Sequence, residues 1–167
     1  MNQKTLAIII VAVIAVAVVA VAAYYLMNNG DDNVEDIITV KNASSLQFSV
    51  SITREGETYE TMYWAKNIGT SDLMIRVEIP DTSGDLIYIV NGANQTAWAS
   101  TAGEWMDLSD TFSDQSDMWS LTADGYKDEL STWVEGDWTY TDTTDGSTVR
   151  VYDIAVNPSL ADSLFAP

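Results

Sequence analysis

The sequence predicts an α+β domain that is mostly β: a curved antiparallel sheet with helices packed on one face, preceded by one N-terminal transmembrane helix. Three observations carry that reading. Apolar and polar residues alternate along several stretches from Ser45 onward, the period-two mark of half-buried strands. Between Thr111 and Gly136 the apolar residues fall at helical spacing instead. Leu6 to Met27 is a run of 22 residues without a charge, Gly, Pro or strongly polar side chain.

That run sets the frame for the rest of the chain. As a helix it rises about 33 Å, enough to cross a hydrocarbon core of roughly 30 Å. Lys4 precedes it, and Asn28, Asn29, Gly30, Asp31 and Asp32 follow, which leaves residues 1–5 in the cytoplasm and the bulk of the chain outside. Ala20-Val21-Ala22 has the small-x-small form of a secretory cleavage site, so a cleaved signal is the competing reading. The span exceeds an ordinary signal core of roughly 7–15 residues, which favours an anchor. The expectation is a single-pass protein of the cell membrane, with an acidic stalk over 28–40 and a β-rich domain over 41–167.

Composition narrows the chemistry. The chain has no Cys and no His, which removes thiol catalysis, Ser-His-Asp systems and the usual zinc ligands. No catalytic residue, metal ligand or cofactor is assigned, and the expected function is not enzymatic. Twenty-five acidic residues against 7 basic ones give a net charge of −18, a field that repels nucleic acid. Asp142-Thr143-Thr144-Asp145-Gly146 looks superficially like a calcium loop but lacks the alternating Asp spacing and the closing Glu. Asp31-Asp32 and Asp107, Asp110, Asp114 and Asp117 read as solvated faces, because nothing around them supplies the apolar pocket that separates two carboxyl pKa values.

The elements follow in order. Leu46, Phe48, Val50 and Ile52 alternate with polar residues in a first strand, and Glu55-Gly56-Glu57 turns it. Thr58 to Lys66 is a second strand carrying Tyr59, Met62, Tyr63 and Trp64. Leu73, Ile75, Val77 and Ile79 mark a third. Leu86 to Val90 is apolar on both faces, as expected of a central strand covered on each side. Asn91-Gly92 opens a tight turn, and Thr96 to Ser100 and Glu104 to Leu108 are short strands. Phe112, Met118, Trp119 and Leu121 are spaced for a short helix. Tyr126, Leu130, Trp133 and Val134 form a helical stripe ended by Gly136. Trp138 to Asp142 and Thr148 to Val156 return to strand, and Asn157-Pro158 stops the sheet before a tail ending in Leu164 and Phe165. Arg54, Arg76 and Arg150, scarce cations in this chain, are expected to pair with acids such as Glu78 or Asp153.

Tyr63-Trp64-Ala65-Lys66 followed by Leu73-Met74-Ile75-Arg76-Val77-Glu78 resembles a pattern in LolA-type lipoprotein carriers and their relatives. Ile87 to Gly92 with Ala97-Trp98 resembles the hairpin that follows there, and Val156 to Phe165 is similar to the closing segment of that family. The resemblance runs from Ser45 to Phe165. It implies an open half-barrel whose concave apolar face is lidded by helices and holds an acyl chain or other hydrophobic ligand. The usual long N-terminal helix is largely missing, an anchor replaces the free N-terminus, and Asn67 stands where a Pro follows the basic residue. A tethered protein does not shuttle, so the resemblance implies hydrophobe binding rather than transport.

The strand faces supply the candidate site. Phe48 and Val50 on one strand and Ile75, Val77 and Ile79 on another form one apolar surface that needs a cover. The segment from Phe112 to Val134, with Trp119, Leu130 and Trp133, is the expected lid. The expected function is therefore an anchored module for a lipid or other hydrophobic ligand. The alternative is an envelope protein whose lid simply fills its own core. Asn42 and Asn94 head the two N-glycosylation sequons, with Asn94 in a turn and Asn42 shielded beside the first strand.

Overall fold

The computed structural model describes residues 40–117, 130, 133–142 and 145–167. The predicted membrane span and most of the stalk lie outside these residues, as do Met118, Trp119, Leu121 and Tyr126. Among the described residues no helix is long and apolar enough to cross a membrane.

Eight strands form one antiparallel sheet: β1 (Ser45–Arg54), β2 (Glu57–Lys66), β3 (Met74–Ile79), β4 (Leu86–Asn91), β5 (Thr96–Thr101), β6 (Glu104–Asp107), β7 (Trp138–Thr141) and β8 (Thr148–Val156). Their order is β6-β5-β4-β3-β2-β1-β8-β7, so the sheet is open, with four-residue strands at both edges. Short edge strands bearing acids, as β6 does with Glu104 and Asp107, give a neighbouring chain little to pair with. Six strands run as a meander, and the last two return beside β1. Residues 112–117 form a short helix after the 3-10 turn Ser109–Thr111.

Local chemistry sets the turns. Glu55 and Gly56 sit at φ 52° and 86° between Arg54 and Glu57, the pair of left-handed residues that a two-residue hairpin requires. Gly92 is needed for a different reason. A Cβ there would run into the Ser71 carbonyl oxygen, and the Gly92 N–H donates to the Leu73 carbonyl at 2.8 Å.

One bulge decides which side chains face inward on β8. The register against β1 slips between Gln47 and Ser49, and Asp153 takes φ 53°. Val149 and Val151 point to one face before the slip; Ile154 and Val156 reach the same face after it. Without the extra residue the second pair would turn to the opposite side.

The two faces carry separate cores. The larger cluster draws on every strand and includes Leu46, Phe48, Val50, Tyr63, Ile75, Val77, Tyr88, Val90, Val149 and Val151. Val40, read as the end of the stalk, is fully buried in it. The smaller cluster on the other face consists of Met74, Ile89 and Phe165, flanked by Trp64, Ile87, Trp98, Leu160 and Leu164. Strand β4 lies between the two, which is why its sequence is apolar on both sides.

Two expectations need correction. Val134 is 84% exposed and Trp133 and Val134 are not helical, so the predicted stripe does not extend to them. The Trp133 indole N–H donates to the Gly136 carbonyl at 2.7 Å, which turns the chain there instead. The arginine partners also differ. Arg76 does pair with Glu78, two residues along the same face of β3, but Arg150 pairs with Asp137 and Arg54 with Asp145. Asp153 sits in the bulge, out of register with its strand neighbours, and Arg150 reaches across to the approach to β7 instead.

Candidate functional site

The candidate surface is the larger face of the sheet. Registered pairing lines its side chains into rows across the strands. Phe48 lies opposite Tyr63, Tyr63 opposite Val77, and Val77 opposite Tyr88. Leu46, Ala65, Ile75, Val90 and Ala97 make the next row. Phe48 and Tyr63 stack with ring centroids 4.9 Å apart and planes 15° from parallel. Strand β2 thus bridges the two strands that the sequence singled out.

Phe48, Val50, Ile75 and Val77 are all in the cluster, each 3% exposed or less. Ile79, at the end of β3, packs against it half-buried. Leu130 is fully buried in the same cluster, and Phe112 and Trp133 pack on it from the segment between β6 and β7. Two predicted lid residues, Leu130 and Trp133, therefore meet the predicted sheet residues; Trp119 lies outside the described residues. Tyr63, Tyr88, Ala65, Ala97 and Ala99 belong to the surface but were absent from the sequence-derived set. Their signal was available in the register: once Phe48 and Val77 face inward, the intervening Tyr63 does too.

The surface is uncharged. Burial pushes the Tyr88 phenol up to about 12, as expected of a hydroxyl held among aliphatic side chains. The carboxylates held below their usual range lie elsewhere and cap their own turns. Asp81, Asp107 and Asp145 are lowered by hydrogen bonds from Ser83, Ser109 and Ser147, each two residues on. Asp110, Asp114 and Asp117 are exposed. Among the described residues, no group of three acids is placed to hold a metal ion. At the calcium-like motif, Asp145 accepts from the Ser147 N–H at 2.9 Å and faces Arg54 at 3.5 Å. A guanidinium beside that carboxylate opposes a second cation. Both sequon asparagines are exposed, so Asn42 is not shielded as the sequence reading had it.

Comparison with known protein families, with curated proteins and with solved structures finds no match to this chain. The reading of its function rests on the residues themselves.

Proposed function

We propose that the chain is a non-catalytic extracytoplasmic module, tethered to the cell membrane by Leu6–Met27, whose larger sheet face takes a lipid or other hydrophobic ligand. The observation that carries this reading is the continuity of that face. Apolar side chains line it from β6 to β7, the sheet stays open, and Phe112, Leu130 and Trp133 from the segment between β6 and β7 pack against it. That segment is cut by Ser113, Asp114, Ser116, Asp117, Asp124 and Gly125, a composition suited to lifting rather than to permanent sealing. The resemblance to LolA-type carriers supports the same reading, with the sheet as a half-barrel and the covering segment as its lid.

A specific observation favours a second reading. Phe48, Val50, Ile75 and Val77 are already out of solvent, as in a core that fills itself. In that case the protein is an envelope component with no small ligand.

One experiment tests the tether that both readings share, and a second separates them. Alkaline carbonate washing should leave the full-length chain in the membrane pellet, whereas a soluble species beginning near Ala23 contradicts the tether. Mild detergent extraction followed by native mass spectrometry should then show a lipid-sized adduct on the chain. Bare protein from several lipid backgrounds supports the self-filled core.

A further inference from the structure

The opposite face of the sheet holds the C-terminal segment, residues 158–167, in a manner unlike the rest of the fold. This segment joins no strand; it crosses β1 to β4 as an extended stretch with one 3-10 turn, Asp162–Phe165. Side chains of successive strands hold its backbone. The Ser45 hydroxyl donates to the Pro158 carbonyl at 2.8 Å, and Lys66 Nζ to the Leu160 carbonyl at 3.1 Å. Arg76 Nη1 donates to the Leu164 carbonyl at 3.1 Å and Asn91 Nδ2 to the Phe165 carbonyl at 3.3 Å. Lys66 also pairs with Asp162. Between these contacts Phe165 is 1% exposed against Met74 and Ile89, and Leu160 and Leu164 pack half-buried beside Trp64 and Trp98.

We infer that this face is a groove for an extended peptide, filled here in cis, and that its exchangeable occupant is the C-terminal segment of a second copy of this chain. Carbonyl recognition by side chains is how a surface holds a peptide backbone, and the apolar sockets then select the sequence. Strands β2 to β5 are paired on both sides without the segment, so its departure breaks no ladder. It would bare Met74, Ile89, Trp64 and Trp98, a patch that demands another cover. Every copy carries the one sequence known to fit, and exchange of an identical element is a low-cost route to association. The hinge is defined as well. Asn157 sits at φ 53°, and its side-chain oxygen accepts from the Ser44 and Ser45 N–H groups at 2.8 and 3.2 Å, so the segment pivots from a fixed point. This inference concerns the face opposite the proposed ligand surface and stands independently of it.

The test uses the full chain in detergent, a variant ending at Asn157, and a fluorescein-labelled peptide of residues 158–167. Anisotropy should show saturable binding to the shortened chain and binding roughly tenfold weaker or worse to the intact one, whose groove is filled. A Phe165→Ala peptide should lose roughly tenfold or more, as truncation of a buried aromatic anchor does. Concentrated intact chain should form a two-fold dimer in native mass spectrometry, each segment in the other copy's groove, that excess free peptide converts to monomer. A shortened chain with an intact sheet and no peptide binding overturns the groove. Peptide binding without that dimer overturns the second copy as occupant. If the shortened chain does not fold, full-length Phe165→Ala takes its place: peptide binding by that variant supports the groove, and a folded variant that ignores the peptide overturns it. Unfolding of both overturns it too, because the segment is then core and not an occupant.

Discussion

The two faces of the sheet solve the same problem with different materials. The larger face is apolar over all eight strands, and Val40, ahead of β1, and Leu130, between β6 and β7, are sunk into it. The smaller core occupies only the middle strands. A short tail covers it, held by four side-chain donors and one fully buried ring. The first is where folding free energy is concentrated, since burial scales with apolar area removed from water. The second is a local closure, made by ten residues that join no strand.

Phe48→Ala removes a ring stacked on Tyr63 in the middle of the main face and should cost roughly 3–5 kcal/mol in chemical denaturation. Phe165→Ala on the tail should cost less, roughly 2 kcal/mol, because fewer buried side chains surround it than surround Phe48. A larger loss for Phe165→Ala than for Phe48→Ala would reverse the ranking of the faces. Tyr88→Phe gives the smallest effect at neutral pH, about 1 kcal/mol or less, and a distinctive one in alkali. The phenol ionises near pH 10 when unfolded and at about 12 in the fold. Its raised value contributes stability that is whole below about pH 10 and is lost as pH rises toward 12. Denaturation midpoints measured from pH 9 to 12 should fall less steeply in Tyr88→Phe than in the wild type.

The main face was legible because period two is a strong signal where one side is wet and the other dry. Thr148 to Val156 was bounded as it stands in the structure, and the inward residues of β1 and β3 were read from alternation alone. The bulge at Asp153 was not read, although the shift of apolar parity from Val149 and Val151 to Ile154 and Val156 records it. The two-sided apolar pattern of Leu86 to Val90 announced a cover on each side. It did not name the tail, because Leu160, Leu164 and Phe165 follow no strand period and their backbone is held by distant side chains. The helical stripe does not reach Trp133 and Val134 for a related reason. Four residues at helical spacing are few, and one indole hydrogen bond to Gly136 redirected the chain.

A larger face that accepts a hydrophobic ligand under a cover including Trp133 should take up a fluorescent fatty acid. Titrated into wild type and Trp133→Ala, with melting curves alongside, it should bind the wild type saturably and bind the variant with altered affinity while the sheet stays folded. No binding to the wild type, together with a loss of roughly 3–5 kcal/mol in the variant, would contradict the claim and leave Trp133 as ordinary core.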